Sequence, residues 1–441
     1  MLIKLSNVAT ALLIIAPSYS AAFQSIFQTE ILAPVVSSVE AEVVPNSYFI
    51  IFKNGVHAND HVSWFRDLHD RDIALNGVWD SRSDNFTSGV RHVYDIGSFQ
   101  GLAGRFRLEV LDEIRRNPSV DYIELDQVVR LTETQKNAPW GLARISHRKT
   151  LNTKTISKYK HSPNGGDGVS VFVIDTGIKL SHEEFEGRAS WGATFSEGSP
   201  DIDDHGHGTH CSGTIGGFNV GVAKKAHVIA VKVINEFGTG AVSDVAAGIN
   251  FAYKQHLSLR DRKGDKYRGS VVSISLRFEE SRTIDSAITR AASDGLHFAV
   301  AAGNDNWDAC EFSPARVKAA VTVGASNVND ERAFFSNYGP CVDIFAPGVN
   351  VLSAGIGSNN HTVSGSGTSM ATPHVAGLIA YHLSLAPERD SAFNSGQPIS
   401  PKEMKALLKE TATRNVLEDV DPETPNLLLY NGGKTDGYYA W

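Results

Sequence analysis

From residue 137 onward, apolar positions fall into two alternating patterns. Short near-continuous apolar runs occupy 169–174, 227–234, 270–276, 297–302, 320–323 and 342–345. Between them lie longer stretches, 242–256, 283–294 and 369–385, whose spacing predicts helices. Apolar strands joined through helices predict an α/β fold with a mostly parallel sheet covered by helices on both faces. Residues from about 22 to 132 have a different texture. The segment 47–53 (SYFIIFK) predicts a strand, and 60–76 a helix with Val62, Phe65 and Leu68 on one side. Strands follow at 89–96 and 104–108, a second helix at 110–116 and a last strand at 120–130. That β-α-β-β-α-β order predicts a small α/β domain. The polar stretch 132–136 reads as a linker between the two.

At 441 residues the chain exceeds one typical domain, consistent with that division. Its composition, 41% hydrophobic and 20% charged, is ordinary for a globular protein and excludes a disordered or fibrous chain. A net charge of −8 argues against a nucleic-acid or polyanion binder. Residues 1–20 combine Lys4, an apolar run at 8–16 and small residues at Ser18 and Ser20, the pattern of a secretory signal peptide. No later stretch is apolar enough to span a membrane, so a soluble, secreted, extracellular protein is expected. The triplets Asn85-Phe86-Thr87 and Asn360-His361-Thr362 are candidate glycosylation sites on that route. The three cysteines are too few for a disulfide-built scaffold, and their odd number leaves at least one outside any internal bridge.

In parallel sheets, active sites lie beyond the carboxyl ends of the strands. Three motifs sit in such places. Val173-Ile174-Asp175-Thr176-Gly177 ends a strand in a carboxylate that, if buried, needs a partner. His205-Gly206-His207-Gly208-Thr209-His210-Cys211 supplies histidines among close-packing glycines. Gly365-Ser366-Gly367-Thr368-Ser369-Met370-Ala371 brings a serine to a helix start. Each alone also reads as a cap or turn. Together they supply a nucleophile, a base and an orienting acid, since a serine needs a base and an imidazole needs a carboxylate to fix its tautomer. The spacing His205, His207, His210 also admits a metal site and hence a metallohydrolase.

At this length the motifs resemble the subtilisin-like serine proteases (subtilases), and within them the proteinase K group of secreted enzymes. The matching segments are VIDTG around Asp175, GHGTH around His207 and GTSMATPHVAG around Ser369. To these are added NAPWGLARIS at 137–146, AVAAGN at 299–304 and FSNYG at 335–339. Residues 21–132 resemble the inhibitory propeptide of these enzymes through SYFIIFK and DYIELDQVVRL, which makes 133–441 the catalytic domain. The resemblance implies a secreted serine endopeptidase acting through an acyl-enzyme on protein substrates. It also implies a self-processing zymogen, monomeric, with its own propeptide as chaperone and inhibitor. It assigns Ser369 as nucleophile, His207 as general base and then acid, Asp175 as orienting carboxylate and Asn304 as oxyanion-hole amide, with His210 structural. A catalytically silent homologue serving as a binding protein is the alternative.

The same resemblance makes Gly238, Thr239 and Gly240 one rim of a substrate groove and Ser275-Leu276 the start of the other. There the chain departs from the family: where glycines are common, it carries Arg277-Phe278-Glu279. Cleavage before Glu133 would put Thr132 in the cleaved position, which suggests tolerance of a β-branched residue. Cys211 resembles a buried free thiol beneath the catalytic histidine, leaving Cys310 and Cys341 to pair as in related enzymes. Asp343 resembles the carboxylate of a structural calcium site, with the carbonyls of Lys318 and Ala320 as further ligands.

Overall fold

A computed structural model describes residues 32–36, 43–77, 89–127, 133–263, 267–385 and 399–432. The signal-peptide segment and Asn85 lie outside these residues. The chain forms two compact units, one built on Asn46–Asp80 and Phe86–Asp126, the other on Gln127–Trp441.

The first unit is a five-stranded sheet of β1 (Val35–Val36), β2 (Val43–Phe52), β3 (Val90–Ile96), β4 (Phe99–Arg105) and β5 (Val120–Gln127), in the order β1-β5-β2-β4-β3. Helices α1 (Val62–Asn76) and α2 (Leu108–Arg116) bury Phe65, Leu68, Val110, Leu111 and Ile114 in a common core with Ile50, Leu102 and Phe106 of this unit. The expected β-α-β-β-α-β order is present, with β1 added at an edge. The strand expected at 104–108 instead spans β4 and ends at Arg105. A side chain at Gly104 would meet the Gly89 carbonyl at 2.2 Å, so this stretch pairs only because it lacks one.

In the second unit, strands β6 (Val169–Asp175), β7 (Ala189–Thr194), β8 (His227–Lys232), β9 (Gly269–Ile274), β10 (His297–Ala301), β11 (Val321–Ser326) and β12 (Ile344–Pro347) pair in parallel. Two short strands, β13 (Thr413–Arg414) and β14 (Leu427–Leu428), complete a nine-stranded sheet of order β13-β14-β12-β11-β10-β9-β6-β8-β7. Only β13 and β14 run antiparallel to each other. Along β6 every residue is buried. Val171 and Val173 face one core with α3 (His207–Gly216) and α6 (Thr368–Leu385). Phe172 and Ile174 face the other with α4 (Val242–Lys263) and α5 (Arg282–Ser293). Burial on both sides explains why such strands read as unbroken apolar runs.

Helix α7 (Pro401–Thr411) was not expected from periodicity. Its signal is local: Ser400 and Glu403 form a reciprocal capping box around Pro401 in the first turn. The expected linker also differs. Glu133–Lys136 pairs antiparallel with Lys158–His161, because backbone hydrogen bonding can organise a polar segment that composition marks as loop.

Candidate active site

Asp175 is the last residue of β6, and His207 opens α3. A side chain at Gly208 would lie 2.2 Å from the Gly177 carbonyl, so this helix starts hard against the strand end only because residue 208 is glycine. His207 Nδ1 lies 2.7 Å from Asp175 Oδ1. Asp175 is acceptor-only when ionised, so Nδ1 carries the proton and the Nε2 lone pair is free. Burial of the imidazole disfavours its charged form. The neighbouring Asp175 carboxylate opposes that, and the His207 pKa is raised well above its ordinary value. The thiol itself stays protonated, since burial pushes its pKa up.

Ser369 lies in the first turn of α6. Its Oγ donates to the Ser275 carbonyl at 3.0 Å, just beyond the end of β9. Pro373 sits inside the helix and has no N–H for the carbonyl four residues back. The Ser369 carbonyl instead accepts from Ser275 Oγ at 3.1 Å and from Cys211 Sγ at 3.3 Å. Cys211 Sγ also lies 4.0 Å from His207 Nδ1, so this thiol bridges the helix bearing the imidazole to the one bearing the alcohol.

Asn304 follows β10. Its Oδ1 accepts from the Thr368 backbone N–H at 2.8 Å and from Thr368 Oγ1 at 2.9 Å. An N–H can only donate, which fixes the amide orientation and leaves Nδ2 as the outward donor beside the Gly367–Ser369 turn. Gly367, at φ +154°, would place a side chain 3.4 Å from that Nδ2. The Ser369 N–H belongs to the helical first turn, whose donors have no carbonyl behind them. Two donors thus flank Ser369, Asn304 Nδ2 from the loop after β10 and the Ser369 N–H from the first turn of α6.

Two residues that brace this arrangement were not anticipated. Buried Asp203 accepts from Thr176 Oγ1 at 2.8 Å and the Gly206 N–H at 2.8 Å through one oxygen, and from the Thr209 N–H at 2.9 Å through the other. It ties the end of β6 to the entry of α3. Buried Asn337 donates to the Ala302 carbonyl and accepts from the N–H groups of Asp305 and Trp307, holding the Asn304 loop. Asn337 lies in the FSNYG segment, so its position was legible while its task was not.

The three histidines do not converge. His205 is exposed, while His210 is buried with Nε2 2.9 Å from the Val351 carbonyl. Among the described residues, the one grouping of metal-type side chains is Asp175, His207 and Cys211, two of which already form the carboxylate–imidazole bond.

Gly238, Thr239 and Gly240 form an exposed turn after β8, and Ser275-Leu276 follows β9. Arg277 does not extend freely into solvent. Its Nε and a terminal nitrogen make a bidentate contact with Asp305 at 2.8 and 2.5 Å, and its guanidinium lies 4.5 Å over the Phe312 ring. That pair joins the strand end holding Ser275 to the one holding Asn304. Cys310 and Cys341 form a disulfide, Cys211 is a buried free thiol, and Asn360 is exposed. Asp343, Lys318 and Ala320 do come together, but around the ammonium of Lys405 rather than as an open set of metal ligands.

Residues 166–429 match the model of the subtilase family, and residues 47–132 match the peptidase inhibitor I9 family. The chain belongs to the subtilase family. Among relatives of this subtilase, a subtilisin-like protease of Coccidioides posadasii is 50% identical over 424 residues, covering 92% of this chain and 85% of that protein. The subtilisin-like serine protease Pen c 2 of Penicillium citrinum is 49% identical, covering 92% of each. The crystal structure of a cold-adapted subtilisin-like serine proteinase superposes with TM-score 0.58 at 38% identity, covering 67% of this chain and 98% of the other. The subtilase unit and the inhibitor unit together are the two parts of a protease zymogen. Among the described residues, no helix is long and apolar enough to cross a membrane.

Proposed function

We propose that this subtilase is a secreted serine endopeptidase that cleaves proteins through an acyl-enzyme on Ser369. The observation that carries the reading is the 2.7 Å Asp175–His207 bond, which leaves Nε2 as a base. Ser369 Oγ leaves the Ser275 carbonyl, attacks the substrate carbonyl carbon and passes its proton to His207 Nε2. The negative oxygen that forms is met by Asn304 Nδ2 and the Ser369 N–H. Collapse breaks the C–N bond, and His207 returns the proton to the departing amine. Water then attacks the ester, giving its proton to His207, which hands it back to Ser369 Oγ as the acid product leaves. The exposed turn at Gly238–Gly240 and the strand end at Ser275-Leu276 are the proposed rims for an extended peptide held by main-chain hydrogen bonds.

The inhibitor unit is proposed to keep the enzyme silent until cleavage near Glu133. Secretion is supported by the Cys310–Cys341 disulfide, which favours an oxidising compartment. Glycosylation at Asn85 and Asn360 remains part of this proposal.

The test is mass spectrometry of peptides released from unfolded casein, with Ser369→Ala as control. Cleavage by the parent, lost in the variant and blocked by phenylmethylsulfonyl fluoride but not by a chelator, supports the reading. Casein left intact by the matured parent would overturn it in favour of a binding protein.

A further inference from the structure

The resemblance assigned Asp343 and the carbonyls of Lys318 and Ala320 to a calcium ion. In this chain the same three oxygens surround the ammonium of Lys405. Nζ lies 2.6 Å from Asp343 Oδ2, 2.9 Å from the Lys318 carbonyl and 2.8 Å from the Ala320 carbonyl. An ammonium has three protons, and here each faces one oxygen. Asp343 Oδ2 also accepts from the Thr322 N–H at 2.9 Å, and Lys409 Nζ lies 3.4 Å from Oδ1. The carboxylate therefore has a donor on both oxygens and two cations beside it.

Those facts do not fit a divalent ion. Calcium takes six to eight oxygens, whereas the shared set here is one carboxylate oxygen and two carbonyls, all already bonded. An added divalent charge would also sit against two ammonium groups, at a separation where like charges repel strongly outside bulk water.

The geometry is built rather than incidental. Lys405 and Lys409 are one turn apart on α7, so they share a face. Met404 and Leu408, each 1% exposed, lock the adjacent face into the core. The capping box of Ser400 and Glu403 fixes where the helix begins. Asp343 directly precedes β12, and Ala320 directly precedes β11. The lysine thus ties the C-terminal helix to the starts of two adjacent central strands.

We infer that Lys405 is this protein's resident cation at the Asp343, Lys318 and Ala320 oxygens, doing without metal what a bound ion would otherwise do. This stands apart from the catalytic reading, because its readout is unfolding.

The experiment is thermal unfolding of the purified full-length product, with its protease activity blocked, in chelator and in millimolar calcium. The parent and Lys405→Ala are compared, each with and without Asp343→Asn. The parent is expected to show no calcium response that Asp343→Asn abolishes. In chelator, Lys405→Ala is expected to unfold about 3 °C or more below the parent. Calcium should not recover that loss, because three oxygens beside the Lys409 ammonium do not make a calcium shell. Two results overturn the inference: a calcium-dependent rise in the parent midpoint that Asp343→Asn removes, or a Lys405→Ala midpoint equal to the parent's. Should Lys405→Ala fail to accumulate, calorimetric titration of the parent with calcium decides. Binding lost in Asp343→Asn contradicts the inference, and no Asp343-dependent binding supports it.

Discussion

At the scale of single residues, the decisive interaction is the field of Asp175 on His207. The imidazole must be neutral to take the serine proton. Since Asp175 raises its pKa, kcat/KM is expected to rise with pH through a value above the ordinary histidine pKa of about 6.5. Asp175→Asn removes the raising cause and leaves burial, which lowers the pKa. The acid limb should then move to lower pH while kcat falls by roughly 10⁴-fold, a magnitude taken from other serine proteases. An unmoved limb would separate His207 from Asp175. For Asn304, kcat should fall by about 10²–10³-fold on substitution by Ala with KM little changed, a magnitude taken from another subtilisin. A loss confined to KM would make Asn304 a substrate contact instead.

At the scale of elements, the site is a set of strand ends and helix starts. Asp175 ends β6, Ser275 and Asn304 follow its parallel neighbours β9 and β10, His207 opens α3, and Ser369 lies in the first turn of α6. The strands and the main helices were legible because two-sided burial writes an unbroken apolar run into the sequence. The groups proposed as catalytic were legible because each sits in a contiguous motif. The tasks of Asp203 and Asn337 were not, because their work is done largely through backbone groups that no side-chain pattern announces. Arg277 was visible as a departure, but its partner was not: Asp305 is brought to it only when β9 and β10 pair. This clamp stands beside Ser275 and Asn304, where the residue before the cut is proposed to lie. Arg277→Gly is expected to favour a bulkier residue there, shifting the ratio of kcat/KM for Phe over Ala peptides by about tenfold or more. An unchanged ratio would take Arg277 out of the groove.

At the scale of the whole molecule, two features follow from topology. The parallel sheet is assembled from distant segments, such as β6 beside β9 and β12 beside β14. Such pairings fold slowly, because loop closure precedes the contacts that reward it. A companion unit that stabilises the folding chain is the proposed remedy. Residues 133–441 expressed alone should therefore give little active enzyme, restored when residues 21–132 are supplied separately. Full activity without them would remove the chaperone role. The other feature is the tether of α7 to β11 and β12 through Lys405. It was illegible because the ammonium and the Lys318 carbonyl, whose residues are 87 apart in sequence, meet only in the folded state.

The most direct measurement is to treat the matured enzyme with phenylmethylsulfonyl fluoride and locate the adduct by peptide mass spectrometry. The sulfonyl group should bond to Ser369 Oγ with loss of fluoride, in step with loss of activity, and His207→Ala should abolish both. Full inactivation with Ser369 unmodified, or rapid labelling of Ser369 in His207→Ala, would contradict the account.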